Sequence, residues 1–340
     1  MNGQDHKFEI FVKTYPDDYH YLSRLLGSLD SYNIEKIPVI LCDHSTNFDK
    51  LTVLAGVRPY EIKLLPEEQL LRNLPGSKKA QPKYQDGYFC QMYAKLSYGV
   101  QNRSTDYICV DSDGLFIRQF GYHSFFDRQH VPYFFFEDDR ELYSQDNYWN
   151  AHGRHREESF QRICDFFEID RSLVLRPHGF QTIRGREVAA LQTWLREEKD
   201  LEIHEALSTL GYEFALHAAF LARVGTDRTQ RLSPFRVFHS AEHMYVASLQ
   251  MKGEESLRRS FIGVVYNSNF SRAWGKVDLS KTKYLIPSRA FHFRILKVAL
   301  WMTMSRFSAR RFLRTTMYWW NRSVLASRMS RSTQGSLRRS

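Results

Sequence analysis

The sequence has few cysteines, and none of them is spaced like a metal-binding or redox pair. Four occur in 340 residues, Cys42, Cys90, Cys109 and Cys164, and no two form a C-x-x-C motif. At this length a small disulfide scaffold is excluded. Cys42 and Cys109 lie in or beside β-like runs, where a free thiol behaves as a small apolar side chain. This usage is typical of a protein kept in a reducing cytosol.

Long hydrophobic runs are also missing. No stretch of about 18 uncharged apolar residues occurs, so no membrane-spanning helix is predicted. The first residues, MNGQDHKFEIFVKTY, carry charges where a secretory signal has its apolar region. The sequence therefore predicts a cytoplasmic location.

Acidic residues are absent from the C-terminal part of the chain. Residues 281–340 contain fourteen Lys and Arg and no Asp or Glu, whereas the whole chain has a net charge of +10. Residues 1–280 therefore carry a net charge of −4. We predict two parts, a globular domain over 1–280 and a basic, aromatic, helical tail over 281–340.

The tail has the composition of a segment that lies on a membrane surface. Residues 293–331 mix Trp, Phe, Leu and Met with arginines, which suits a helix in the headgroup layer of an anionic membrane. The same charges would also suit a nucleic-acid-binding arm. Trp319–Trp320 and the Met–Leu content are unusual for such an arm, so no nucleic-acid partner is expected. The alternative that the tail is a helix docked on the domain stays open.

The domain begins with a β-α-β pattern. Residues 7–15, KFEIFVKTY, alternate like a buried strand, and residues 16–33 follow with apolar side chains at helical spacing. Asp17 or Asp18 is predicted to cap that helix. A second strand is predicted at 37–43, after a right-handed crossover.

Further alternation of strands and helices predicts an α/β domain. We expect a Rossmann-like, mostly parallel central sheet flanked by helices. The later elements are predicted as strands at 61–66, 105–113, 131–139, 235–245 and 260–269, and as helices at 88–101, 156–169, 186–200 and 203–225, the last ending at Gly225.

Two aspartates, one residue apart, follow an apolar strand in the segment YICVDSDGLFI. Asp111 and Asp113 fall at the carboxyl end of this strand, where parallel α/β sheets place their ligand crevice. Hard divalent ions such as Mg²⁺ and Mn²⁺ prefer carboxylate oxygens together with substrate phosphates. The pair is therefore a candidate metal clamp, and the alternative is a solvated strand end.

Four segments in this order resemble one superfamily. They are VKTYPDD at the end of the first strand, GYFCQMYAKL before the aspartate pair, VDSDGLFIRQF around it, and LGYEFALHAAFL later in the chain. Over residues 7–275 the sequence resembles GT-A superfamily glycosyltransferases with a D-x-D motif, close to an uncharacterised bacterial family of the surface-polysaccharide type. The resemblance implies a GT-A fold.

The resemblance also implies a donor site. Lys13 and Thr14 would lie near the base and ribose of a nucleotide. Gln91 and Lys95, four residues apart on one helix face, would point into the donor cleft, with Lys95 meeting a phosphate or a carboxylate. Asp111 and Asp113 would hold Mn²⁺ or Mg²⁺, Asp113 more directly.

Other roles follow from the resemblance with alternatives. His239 or His243 would supply a third metal ligand, unless they are ordinary histidines. Glu213 would bind the acceptor or act as general base, and Asp138 and Asp139 compete for that role, although EDDRELY also reads as a helix start. Aromatic faces stack on sugar rings, so Tyr148 and Trp149 are candidate acceptor platforms, or core residues.

The expected activity is transfer of a sugar from a nucleotide-sugar donor to a surface-glycan or lipid-linked acceptor at the inner face of the cytoplasmic membrane. One alternative is a nucleotidyl- or phosphotransferase acting on sugar phosphates. The turn VKTYPDDYH has no glycine, which argues against the phosphate loop that such enzymes use. The third hypothesis is a non-catalytic, membrane-associated relative of the fold.

Overall fold

The computed structural model describes residues 7–72, 74, 87–137, 153–177, 179–226, 228–238 and 254–266. The chain divides into two compact units, residues 1–235 and 236–340. The boundary expected at residue 280 and the basic tail lie outside the described residues.

The described chain contains ten strands and nine α-helices. The strands are β1 (Lys7–Lys13), β2 (Val39–Asp43), β3 (Ile62–Pro66), β4 (Thr105–Cys109), β5 (Gly114–Phe116), β6 (Phe134–Phe136), β7 (Thr182–Arg184), β8 (Gln230–Leu232), β9 (Phe235–Phe238) and β10 (Gly263–Tyr266). The helices are α1 (Tyr19–Tyr32), α2 (Phe48–Ala55), α3 (Glu67–Leu70), α4 (Gly87–Gln101), α5 (Arg154–Phe166), α6 (Gly185–Lys199), α7 (Ile203–Leu210), α8 (Glu213–Arg223) and α9 (Glu254–Ser260).

A five-stranded sheet forms the centre of the first unit. Its order is β3-β2-β1-β4-β7. The first four strands are parallel, and β7 pairs antiparallel with β4. Helices flank this sheet, so the predicted α/β class with a mostly parallel central sheet is confirmed, and the sheet is compatible with a Rossmann-like fold. The chain runs from β1 outward to β2 and β3 and then returns to β4 on the other side of β1. This reversal creates a topological switch point between β1 and β4.

The first strand and helix form as the sequence predicts, except at the cap. Every residue of β1 after Lys7 is buried, and α1 buries Leu22, Leu25, Leu26 and Leu29. Asp18 occupies the N-cap position of α1, but its side chain makes no cap hydrogen bond. The predicted capping role is therefore wrong for Asp18, whose carboxylate has another partner.

Helix α4 is fixed closely to the strand that follows it. The buried Tyr107 hydroxyl of β4 donates to the Lys95 carbonyl oxygen over 2.8 Å. A Cβ atom at Gly99 would lie 2.6 Å from that hydroxyl and 2.9 Å from Val188 Cγ2 of α6, so only glycine allows this approach. Because α4 precedes a parallel strand, its N-terminal half lies toward the carboxyl edge of the sheet.

The domain differs from the sequence prediction in several places. The helix predicted over 203–225 is two helices, α7 and α8, interrupted at Gly211 (φ 71°) and Tyr212 (φ 50°). The strand predicted over 105–113 ends at Cys109. The short strand β7 was not predicted. Elsewhere in this unit, β6 and β8 form a parallel pair.

The second unit is described only over 236–238 and 254–266. It contains α9 and β10, which lies beside β9 in a small sheet. None of the helices in the described ranges has both the length and the apolar character that a membrane crossing requires. The cysteines are free thiols, and three of the four are buried.

Candidate functional site

Two turns meet at the switch point of the sheet. One follows β1 and contains Thr14 and Tyr15, and the other follows β4 and contains Asp111 and Asp113. The backbone amide of Val110 donates to the Phe11 carbonyl oxygen over 2.9 Å, so the two strand ends stay adjacent beyond the last residue of β4. The sequence placed Asp111 and Asp113 at the carboxyl end of a parallel strand, and the structure confirms that placement.

The aspartate pair lies in a tight turn. The Gly114 amide donates to the Asp111 carbonyl oxygen over 2.9 Å, which ends the strand alternation. A Cβ atom at Gly114 would lie 2.9 Å from Phe180 Cζ and 3.1 Å from that carbonyl oxygen. A glycine directly after the second aspartate is therefore required in this turn.

Lys95 joins two carboxylates beside this turn. Its Nζ lies 2.8 Å from Asp111 Oδ1 and 3.1 Å from Glu213 Oε1. Gln91 Nε2 donates to the same Asp111 Oδ1 over 3.0 Å. Hydrogen bonds thus converge on one oxygen of Asp111, while the side chain stays 29% exposed. The predicted shared face of Gln91 and Lys95 is confirmed, and the partner of Lys95 here is a carboxylate.

The Lys95–Glu213 ion pair of this network is buried. The side chains of Lys95 and Glu213 are only 6% and 8% exposed. Burial by itself lowers the pKa of Lys95, but the carboxylates of Asp111 and Glu213 outweigh it and raise the pKa above its ordinary value. Glu213 is the first residue of α8, where the helix dipole favours a carboxylate. Lys95 therefore stays a charged ammonium between Asp111, which follows β4, and Glu213, which begins α8.

Lys13 and Thr14 lie at the carboxyl end of β1 as predicted, but both are buried. Lys13 Nζ pairs with Glu67 Oε1 at 3.3 Å and donates to the Thr14 carbonyl oxygen over 2.6 Å. The Thr14 hydroxyl has no hydrogen-bond partner among the described residues. The exposed side chain of this turn is Tyr15, 39% exposed, which the sequence did not single out.

Asp18 is a third carboxylate at the crevice. Its Oδ2 accepts a hydrogen bond from the Ser112 hydroxyl over 2.9 Å, between the two aspartates of the turn. Burial raises the pKa of Asp18, and the charge of Asp111 adds to this increase. Burial also raises the pKa of Tyr15, followed by the charges of Asp18, Asp113 and Asp111. The crevice therefore has an acidic mouth.

The donor set of this mouth fits a hard divalent cation. Asp111 and Asp113 supply carboxylate oxygens, and Mg²⁺ or Mn²⁺ sites of this kind complete their coordination with water and substrate phosphates. Within the described ranges, no three His, Cys, Asp or Glu side chains lie close enough to hold a metal together. Asp111 and Asp113 would therefore supply only two of the ligands of such a cation.

Several predicted residues lie outside the described residues. These are the candidate metal ligands His239 and His243, the candidate bases Asp138 and Asp139, and the aromatic residues Tyr148 and Trp149. Their roles stay predictions.

A separate groove lies on the helical side of the first unit. It has a volume of about 540 Å³ and is lined by α6 and α8, with Trp194, Phe220 and Val224 among its apolar residues. None of the predicted site residues lines it.

Comparison with models of known protein families gives no match, and comparison with curated proteins gives none either. The geometry of the crevice and the sequence motifs therefore carry the functional argument.

Proposed function

We propose that this protein is a metal-dependent GT-A glycosyltransferase. It takes a sugar from a nucleotide-sugar donor and transfers it to a surface-glycan or lipid-linked acceptor. The resident metal is Mn²⁺ or Mg²⁺, and the enzyme works in the cytoplasm at the inner face of the membrane.

One observation carries this proposal. The Asp111–Asp113 turn lies at the switch point between β1 and β4, where α/β sheets bind nucleotides, and Lys95 and Gln91 hold Asp111 in place. The carboxylates match the cation that a diphosphate needs. The turn after β1 has no glycine, and its Pro16 has no amide hydrogen, so it differs from a glycine-rich phosphate-binding loop. This favours glycosyl transfer over nucleotidyl transfer.

The residues of the site would have different roles. Asp111 and Asp113 would hold the cation, which when bound neutralises charge on the departing diphosphate. Gln91 and Lys95 fix the orientation of Asp111. Glu213 stays the candidate general base, although its Oε1 is engaged by Lys95. Lys13 and Thr14 would shape the floor under the nucleoside, with the Tyr15 ring beside it.

A thermal-shift screen tests the proposal. UDP, GDP, CDP, ADP and dTDP are added to the full chain, each with and without Mn²⁺. A ligand at 100 times its dissociation constant adds about 2.7 kcal/mol to the free energy of unfolding, so one of them is expected to raise the melting temperature by several degrees, and only with Mn²⁺. The corresponding nucleotide-sugars then identify the donor.

Two results would count against the proposal. If no nucleoside diphosphate shifts melting with Mn²⁺, the chain is a non-catalytic relative of the fold. If sugar phosphates and nucleoside triphosphates bind and pyrophosphate is released, the chain is a nucleotidyltransferase.

The basic tail supports a place at the membrane. We expect the full chain to sediment with vesicles of phosphatidylcholine and phosphatidylserine, and not with phosphatidylcholine alone, because each basic residue near an anionic surface contributes about 1 kcal/mol. Added salt weakens binding by screening. Cosedimentation is the measurement.

Paired variants separate the apolar part of this binding from the charge part. Trp319→Ser with Trp320→Ser removes aromatic insertion, and Arg310→Gln with Arg311→Gln removes charge; both pairs are expected to weaken vesicle binding. Equal binding to vesicles with and without phosphatidylserine, or preferential binding to duplex DNA, would contradict a membrane role.

A further inference from the structure

Asp18 has a position that its expected role does not explain. It stands at the N-cap of α1, yet its side chain makes no cap hydrogen bond there. Instead, its carboxylate is turned toward the chain that follows β4. Asp18 therefore joins two segments that are far apart in sequence and adjacent at the switch point.

The first partner of Asp18 is Ser112. This serine lies between the two candidate metal ligands, is only 3% exposed, and donates from its hydroxyl to Asp18 Oδ2 over 2.9 Å. The hydroxyl of Ser112 is thus committed to an internal bond. Because it is the middle residue of the Asp111–Asp113 turn, anchoring Ser112 anchors the turn that carries both carboxylates.

The second partner is Tyr15, from the turn after β1. Its hydroxyl interacts with the Asp18 carboxylate. A tyrosine hydroxyl is protonated at neutral pH, so it faces this carboxylate as a donor. Asp18 thus lies between one hydroxyl from each side of the crevice.

The Ser112–Asp18 hydrogen bond links two strand ends whose relative position would otherwise depend only on the pairing of the sheet. The pairing of β1 with β4 ends near Phe11 and Cys109, and the amide of Val110 makes the last backbone bond to Phe11. Beyond that point, Ser112 bonds to Asp18, which lies in the segment after β1. Each charge-assisted hydrogen bond of this kind is stronger than a neutral one.

We infer that Asp18 is a positioning residue, which fixes the Asp111–Asp113 turn against the Tyr15 turn through Ser112 and Tyr15. The inference rests on the proposed function, since it concerns the placement of the candidate metal ligands. In this role Asp18 would act through the turn and would not itself hold the cation. Its role is to hold the two turns at the separation that the metal and the diphosphate require.

Single-hydroxyl deletions test this role. Ser112→Ala and Tyr15→Phe each remove one hydroxyl that faces Asp18 with almost no change in shape, and Asp18→Ala removes the carboxylate that both hydroxyls face. Replacing a residue that orients a metal ligand typically changes metal affinity by about 10- to 100-fold. We therefore expect Ser112→Ala to weaken Mn²⁺-dependent nucleotide binding by about 10-fold, and Asp18→Ala by about 100-fold.

The measurement is Mn²⁺ binding followed by electron paramagnetic resonance, with the nucleoside diphosphates of the thermal-shift screen added in turn. The melting temperature of each protein without ligand is measured in parallel and is expected to stay close to that of the wild type in Ser112→Ala. A merely structural loss would lower both. Asp18→Asn keeps an acceptor oxygen and is expected to restore part of the Mn²⁺ affinity that Asp18→Ala loses.

Asp17→Asn is the matched control, because Asp17 is an exposed aspartate in the same turn. It is expected to bind like the wild type. If Asp18→Ala does not fold, Ser112→Ala and Tyr15→Phe decide. The inference is overturned if both bind Mn²⁺ and nucleotide like Asp17→Asn while the wild type binds normally. If the wild type binds no nucleotide with Mn²⁺, the proposed function fails, and this inference fails with it.

Discussion

Replacing Lys95 by methionine is expected to lower the free energy of unfolding by about 3 to 5 kcal/mol. The side chain lies between Asp111 and Glu213 and is 6% exposed. Methionine fills a similar volume but leaves the Glu213 carboxylate buried without its ammonium. A buried charge that has lost its partner costs far more than the pair contributed.

The pH dependence of this contribution follows from the raised pKa of Lys95. Burial lowers the pKa, and Asp111 and Glu213 then raise it above the ordinary value of about 10.4. Below that ordinary value the ammonium is charged in the folded and the unfolded chain, so its stabilisation is complete at neutral pH. It is lost only as the pH rises through the higher folded value.

Double substitution separates the ion pair from simple packing. Lys95→Met leaves the buried Glu213 carboxylate without its partner, and Glu213→Gln removes that charge. The double variant is therefore expected to recover much of the lost stability. Arg196→Met is the surface control: Arg196 pairs with Glu202 at 2.8 Å but is 57% exposed, and such pairs contribute about 0 to 1 kcal/mol. Urea unfolding followed by tryptophan fluorescence measures all four proteins. Equal losses in Lys95→Met and Arg196→Met would contradict a buried ion-pair network.

The central sheet could be predicted because its strands carry local signals. Strands β1, β2 and β4 are short apolar runs, buried as the pattern indicates. Strand β7 has three residues and forms because Ile183 pairs with Tyr107, a contact that no local pattern encodes. The interruption at Gly211 and Tyr212 was missed because the apolar period continues on both sides of it.

The candidate site was predicted in part for the same reason. Gln91 and Lys95 are four residues apart on one helix, so their shared face follows from helix geometry. The partner of Lys95 does not, since Glu213 lies 118 residues away. Asp18 was interpreted from its neighbours as a helix cap, whereas its hydrogen bond goes to Ser112, 94 residues away. Local spacing therefore predicts which side chains share a helix face, whereas the packing of distant segments decides which groups those side chains contact.

Replacing Asp113 by asparagine is expected to abolish Mn²⁺-dependent nucleotide binding, with a loss on the order of 100-fold or more. Asparagine keeps the shape and one oxygen, but it removes the negative charge that attracts a divalent cation. The charge of Asp113 helps to raise the pKa of Tyr15 and Tyr21, after burial, so it lies within the acidic mouth. Titration calorimetry with Mn²⁺ and each nucleoside diphosphate gives the affinities, and melting of the protein alone gives the stability.

Asp111→Asn sharpens this test because Asp111 has two tasks. It accepts hydrogen bonds from Lys95 and Gln91, and it is a candidate cation ligand. Its substitution is therefore expected to lower both nucleotide binding and the melting temperature, whereas Asp113→Asn lowers binding with little change in melting, and Asp17→Asn changes neither. If Asp113→Asn binds Mn²⁺ and nucleotide like the wild type while Asp111→Asn does not, Asp113 is no metal ligand. The effect of Asp111 is then structural, through Lys95, and the acidic turn is a strand end whose charges are only solvated.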